Sequence, residues 1–164
     1  MLTTHQPADA LMEALRREHV TYELVPHRHT ETAAAEARAL AVDLHEVAKT
    51  LILATPFGFV RAVLRASDRL DLDKARLELG AAEVELASEA ALTGAYPEFE
   101  LGAVPPVGGA FDRVIVDERL FDSMFILLDA GTHDESIRLR TTDLLSVADA
   151  EVVDIAAETS TAAT

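Results

Sequence analysis

Along the first eighteen residues the apolar positions Ala8, Leu11, Met12 and Leu15 fall three and four apart, with Arg16 and Arg17 behind them. This spacing predicts an amphipathic helix over 7–18. The period then changes, and "VTYELV" at 20–25 reads as a short strand. The alanine-rich "ETAAAEARALA" at 31–41 predicts a second helix with Thr30 as its cap, and Asp43 followed by Glu46 has the form of a capping box for one further turn. "KTLIL" at 49–53 is apolar without alternation, the pattern of a buried strand. "TPFG" at 55–58 then predicts a turn that brings "FVRAVLRA" back as the second strand of a hairpin.

Farther on, Asp71 caps "LDKARLEL", which Gly80 ends, and Ser88 caps "EAALT", which Gly94 ends, with "AEVEL" as a short strand between them. "RVIVD", "MFILLDA" and the alternating "SIRLR" predict three strands, "TTDLLSVA" a short capped helix and "EVVDI" a last strand. Consecutive strands interspersed with helical crossovers predict an α/β fold. Its expected form is a mixed, largely antiparallel β-sheet or a partly closed barrel with packed helices, not a doubly wound parallel sheet. One domain is expected over 1–156, with 157–164 a disordered tail lacking core residues.

Composition narrows the function. No apolar run approaches 18 residues, which argues against a membrane protein. The N-terminus carries no secretory pattern and the chain has no cysteine, so a cytoplasmic protein without thiolate chemistry is expected. With 14 basic against 29 acidic residues the formal charge is -15, which repels polyanions at long range and argues against duplex DNA. Arg61, Arg65, Arg69, Lys74 and Arg76 lie close together but are interleaved with Asp68, Asp71 and Asp73. A mixed solvated surface is expected there, a local basic face being the alternative.

Nucleotide-binding, zinc-protease and serine-hydrolase signatures are all absent. What stands out is "GAVPPVGG" at 102–109. Its prolines bar helix and central strand, and its glycines allow the main chain to present bare N–H groups to a ligand; a plain rigid turn is the competing reading. His27 and His29, two apart, could join His133 in a zinc site or simply stand on surface loops or a pocket wall. Lys49, where a turn meets an apolar strand, is either a solvated lysine or a cation at a pocket mouth.

The ordered landmarks "VPHRHTETAAAEARAL", "HEVAKTLIL", "GAVPPVGG", "VIVDERL", "LDAGTHDESIRL" and "DLLSVADAEVVDI" together resemble the YbaK-type aminoacyl-tRNA deacylases, the family that also supplies the editing domain of some prolyl-tRNA synthetases. The resemblance runs from Tyr22 to Ile155. It implies a compact mixed α/β fold and a trans-editing hydrolase that removes a wrongly attached small amino acid (alanine, serine, threonine, cysteine or proline) from the acceptor end of a tRNA. A synthetase is a further partner. The family's invariant lysine matches Lys49, and its glycine-proline loop matches Gly102 to Pro106 with Gly108 continuing it. Lys49, Gly102 and Gly108 are thus the catalytic candidates, with His27, Val104, Pro105, Pro106, Gly131 and His133 lining the substrate pocket. No metal or cofactor is implied, because an aminoacyl ester is already activated and needs chiefly positioning and oxyanion stabilisation. Two alternatives remain at this level: a non-catalytic module of the same fold that binds an amino acid, nucleotide or protein, and a histidine metalloenzyme built on His27, His29 and His133.

Overall fold

The architecture follows from a computed structural model that describes residues 8–109 and 112–158. The amphipathic start folds as α1 (Asp9–Arg17), which buries Leu11, Ala14 and Leu15 and ends on Arg16 and Arg17, where the helix dipole favours cations. β1 (Tyr22–Pro26) follows. The cap of α2 (Ala33–Leu40) is Thr32, not Thr30: Thr32 is extended and its Oγ1 accepts the Ala35 N–H at 3.1 Å. Thr30 is buried instead, its N–H donating to the His133 carbonyl. Asp43 does cap the single 3-10 turn Leu44–Glu46, accepting from the His45 N–H at 2.8 Å.

β2 (Ala48–Thr55) and β3 (Gly58–Arg65) form the expected hairpin, paired from Ala48↔Arg65 to Thr55↔Gly58. α3 (Leu72–Leu79) is held between the Asp71 carboxylate and Gly80, which takes φ +62° as a left-handed helix end. β4 (Glu85–Leu86) is brief. α4 (Glu89–Ala95) starts at the Ser88 cap as expected but runs through Gly94; the buried Tyr96, whose N–H donates to the Leu92 carbonyl, marks its end. β5 (Arg113–Asp117), a 3-10 segment (Glu118–Asp122), β6 (Phe125–Asp129), β7 (Glu135–Arg140), α5 (Thr141–Ala148) and β8 (Glu151–Val153) complete the described elements.

The mixed α/β class is the one expected, with the strands shared between two open sheets. One has the order β1-β7-β6 and is antiparallel throughout. The other has the order β4-β2-β3-β5-β8; β2 pairs antiparallel with β3 and β4, while β3–β5 and β5–β8 are parallel and so require crossover connections. A parallel bridge between Val47 and Leu127 joins the sheets at their seam. α1 packs Leu11 and Leu15 against Val63 and Val116 of one sheet and Leu128 and Ile137 of the other, which makes the two sheets share a core.

Asp117, fully buried at the end of β5, accepts hydrogen bonds from the N–H groups of Arg119, Ile155 and Ala156 and so fixes the C-terminal segment. Within the expected tail, Ala157 N–H donates to the Arg69 carbonyl and Glu158 pairs with Lys74 at 2.9 Å; residues 159–164 lie outside the described residues. No helix among the described residues is long and apolar enough to cross a membrane.

Candidate active site

A cavity of about 150 Å³ opens where the end of β1, the first turn of α2, the start of β2, the end of β6 and the start of β7 converge. His27, Lys49, Gly102 and His133, four of the residues singled out in the sequence, line it together. Glu36, Asp129 and Ser136 complete its polar wall. Val104, Pro105, Pro106 and Gly131, expected to line the pocket, and Gly108, expected to be catalytic, are not among the residues that line this cavity.

Two sets of backbone bonds assemble the pocket from distant segments. The His27 N–H donates to the Asp134 carbonyl at 2.9 Å and the Thr30 N–H to the His133 carbonyl at 3.0 Å, tying the histidine loop after β1 to the turn before β7. The Gly131 N–H donates to the Ala103 carbonyl at 2.9 Å and the Glu100 N–H to the Gly131 carbonyl at 2.9 Å, tying that turn to the glycine-proline loop. Gly131 makes this double bond at φ +97°, a conformation suited to glycine.

Arg61 fixes the loop's far half. Its fully buried guanidinium donates to the Pro105 carbonyl at 2.8 Å and the Gly108 carbonyl at 2.6 Å, and it pairs with Asp112 at 2.9 Å. Tyr96 donates its hydroxyl to Asp112 and places its ring under the guanidinium. Gly108 lies against α1, where an added Cβ would come within 3.0 Å of the Ala10 carbonyl carbon. Gly102 at the near end has φ +81°, and its N–H has no partner among the described residues, whereas the Ala103 N–H is taken by the Glu100 carbonyl.

Lys49 is half-buried, and one ammonium proton goes to the Asp68 carbonyl, leaving two donors for a ligand. Burial lowers its pKa from the ordinary lysine value. His133 sets its Nε2 2.7 Å from the Leu101 carbonyl, which as a pure acceptor requires the N–H on that nitrogen.

Sequence reading missed a chain across the pocket wall. The Ser136 hydroxyl is hydrogen-bonded to the Glu36 carboxyl and lies 2.9 Å from His27 Nε2, while His27 Nδ1 lies 2.7 Å from the Arg28 carbonyl and must carry a proton. One hydroxyl proton cannot be given to both neighbours. The chain is complete when a further proton rests on either His27 or Glu36. Burial raises the Glu36 pKa above the ordinary carboxylate value; burial and then the Glu36 charge raise that of Asp129 strongly. A glutamate three positions into an alanine-rich helix looks like solvated charge in a sequence, and the one available signal was its place on the same face as Ala33 and Ala37.

The histidines are engaged in hydrogen bonds. His29 points Nδ1 at Asp134 (2.9 Å), which with Glu31 raises its pKa, and its ring meets His133 edge-on at 5.5 Å. Among the described residues no group of three His, Asp or Glu side chains is placed to hold a metal ion.

A pocket that combines one cation, buried carboxyls and a free glycine N–H can seat an ester whose acyl group carries an ammonium. This agrees with the comparisons. Residues 27–147 match the aminoacyl-tRNA editing domain family. The chain is 30% identical over 162 residues to the multifunctional Ser/Thr-tRNA deacylase ProXp-y of Escherichia coli K12, covering 92% of each chain. Its fold matches the crystal structure of a candidate trans-editing enzyme for prolyl-tRNA synthetase with TM-score 0.82 at 24% identity, over 95% of this chain and all of that one. It also matches the hypothetical protein APE2540 with TM-score 0.83 at 23% identity, over 90% and 99%. The chain belongs to the aminoacyl-tRNA editing domain family. Within it, the activity is that of an aminoacyl-tRNA deacylase.

Proposed function

We propose that the protein removes serine or threonine from the 3′ end of a mischarged tRNA, with the aminoacyl group seated in the pocket between Lys49 and Asp129. The observation that carries this reading is the convergence of Lys49, Gly102, His27 and His133 on one small polar cavity. A cavity of about 150 Å³ is small, which favours a small side chain. Thr30, Thr132 and Ser136 on its wall can bond a substrate hydroxyl. A site that hydrogen-bonds a hydroxyl discriminates far better than one that measures a methylene. The ProXp-y relative, named for serine and threonine, supports the same choice.

In this reading the ester carbonyl oxygen faces the free Gly102 N–H, where developing negative charge is stabilised as water attacks. Lys49 holds oxygens of the terminal nucleotide, and the α-ammonium is received by Asp129 and Glu36. His27 and His133 shape the pocket and hold the loop rather than transfer protons. Val104, Pro105, Pro106, Gly108 and Gly131 support Gly102. A synthetase that delivers the mischarged tRNA is the expected protein partner.

The test is release of amino acid from tRNAs charged with serine, threonine, alanine, cysteine and proline, by the native protein and by Lys49→Ala. Serine and threonine should be released fastest, and Lys49→Ala should lower the rate by about 10²-fold, the scale of one lost transition-state contact. Equal release of all five would overturn the substrate assignment. An undiminished rate in Lys49→Ala would overturn the role of the lysine.

A further inference from the structure

The sequence drew attention to the basic residues between 61 and 76, and the structure neutralises most of them. Arg61 is buried on Asp112, Arg65 pairs with Asp68 at 2.8 Å, Lys74 with Asp154 at 3.1 Å, and Arg76 with Asp73 at 2.5 Å. Arg113 and Arg119 are likewise paired, with Glu151 and Asp154. Acidic residues outnumber basic ones 29 to 14; Arg16, Arg17, Arg28, Arg38 and Arg69 are exposed without an ion pair among the described residues, and two further arginines of this kind also share one aromatic ring.

Arg138 and Arg140 are such residues. Both are exposed on β7, and neither forms an ion pair with any described residue, although Glu23 stands opposite Arg138 in the β1–β7 register. Both instead lie over the ring of Phe125 on β6, with guanidinium carbons 4.8 Å and 5.3 Å from the ring centroid. Phe125 is 36% exposed, and Met124 beside it is 65% exposed. The result is a partly exposed aromatic ring with two guanidinium groups beside it, at the end of the three-stranded sheet beyond the part of this face that Val25 and Leu127 pack under α2.

Its position relative to the pocket follows from strand geometry. Side chains two apart on a strand share a face, so Ser136 in the pocket wall, Arg138 and Arg140 form one row. At about 3.3 Å per residue, Arg138 lies roughly 7 Å and Arg140 roughly 13 Å along the strand from Ser136. Phe125 joins the row because it pairs with Arg140 across the ladder. This surface thus lies on the strand that leads away from the pocket wall.

Resting on the deacylase reading of the pocket, we propose that Phe125, Arg138 and Arg140 form the docking surface for the RNA next to the esterified nucleotide, with the arginines on phosphates and the exposed ring stacking on a base. The chemistry matches in both charge and shape. Guanidinium groups recognise phosphate oxygens through two parallel N–H donors, and single-stranded nucleic acid is held by aromatic faces within cationic grooves. A chain of charge -15 needs a local site of this kind if it is to hold a polyanion at all. Because the surface touches backbone and a stacking face, it governs affinity and leaves the choice of amino acid to the pocket.

The experiment compares two substrates, seryl-tRNA and 3′-O-seryl-adenosine, the second reaching the pocket alone. Arg138→Ala/Arg140→Ala and, separately, Phe125→Ala are the variants. With seryl-tRNA, KM should rise by about tenfold or more in each, and the double variant should lower the slope of log affinity against log salt by about 1.4, the value for two lost phosphate contacts on a single strand. With seryl-adenosine, turnover should be unchanged, which also shows that the variants fold. If seryl-tRNA is hydrolysed and both KM and salt slope stay at native values in the variants, the docking surface is overturned and the deacylase site stands. If turnover of seryl-adenosine falls in parallel with that of seryl-tRNA, the residues are structural and the proposal fails. If the native protein hydrolyses neither ester, the pocket reading fails and takes this surface with it.

Discussion

The ring of His133 rests against the α-carbon of Gly102, so that a Cβ built there would stand 3.5 Å from His133 Cε1 and 3.8 Å from Nε2. The space is adequate, and the cost of a side chain lies in the backbone, since Gly102 has φ +81°. Gly102→Ala is expected to fold, with about 1–2 kcal/mol lost to the left-handed conformation. The relaxing peptide would swing the Gly102 N–H, which has no partner among the described residues. Thermal unfolding should shift down by several degrees, and deacylation should fall far more than stability alone explains. Calorimetry beside a kcat/KM measurement checks both.

Arg61 is expected to be the least replaceable residue outside the pocket. Arg61→Met strands the Asp112 carboxylate and the carbonyls of Pro105 and Gly108 in a dry environment, and should destabilise the protein by about 3–5 kcal/mol in a urea titration. Arg61→Met/Asp112→Asn should recover part of that loss, because the unpaired charge is gone. A double variant no better than the single one would show that the lost carbonyl bonds dominate.

The pH dependence of stability has a defined sign. Glu36 has a pKa raised by burial, so the folded state holds its proton more tightly than the unfolded chain does. That contribution is complete below about 4.5, its ordinary value, and is lost as pH climbs to the raised value. Asp129 acts in the same sense from about 3.8, and His29 adds a decline above 6.5. Asp154, lowered by Arg119 and Lys74, works in the opposite sense and only below 3.8. Glu36→Gln keeps an acceptor for the Ser136 hydroxyl and cannot ionise. Its melting temperature should therefore fall less than that of the native protein as pH rises from about 4.5; parallel curves would show that Glu36 carries no buried proton.

Asp117 anchors the C-terminal segment through three N–H groups. Asp117→Ala leaves the Ile155 and Ala156 N–H groups buried and unpaired, at about 1–3 kcal/mol each. Hydrogen exchange at those two amides should accelerate sharply. Asp117→Asn, which retains an acceptor, should show a smaller effect.

Elements with one dominant local signal were legible in the sequence. The hairpin at 55–58, the Asp71 and Ser88 caps and the Gly80 stop all stand where turn and cap chemistry puts them. The two threonines before α2 could not be separated, because Thr30 and Thr32 offer the same hydroxyl and only the long-range bond from Thr30 to His133 decides which is drawn inward. Gly94 failed as a helix end for a similar reason: burial of Tyr96 outweighs a local breaker. In the pocket, ordered landmarks located Lys49, His27, Gly102 and His133, whereas the Glu36–Ser136 contact spans 100 residues and leaves no mark in either segment. The supporting role of Pro105 and Gly108 depended on Arg61, which in sequence reads as one more charge in a solvated run.

The parallel bridge between Val47 and Leu127 has a consequence for how the protein's preference could change over time. Two residues beyond Val47 stands Lys49, and two beyond Leu127 stands Asp129, so equal steps from one hinge point lead to opposite jaws of the cavity. Beside the bridge, Ala37, Val47 and Leu127 form a small cluster with Val25, Ala33 and Leu40. A methyl group gained or lost at Ala37, Val47 or Leu127 is expected to shift Lys49 relative to Asp129 while the sheets on either side keep their register, a route by which substrate preference can drift without a change in any residue that lines the cavity.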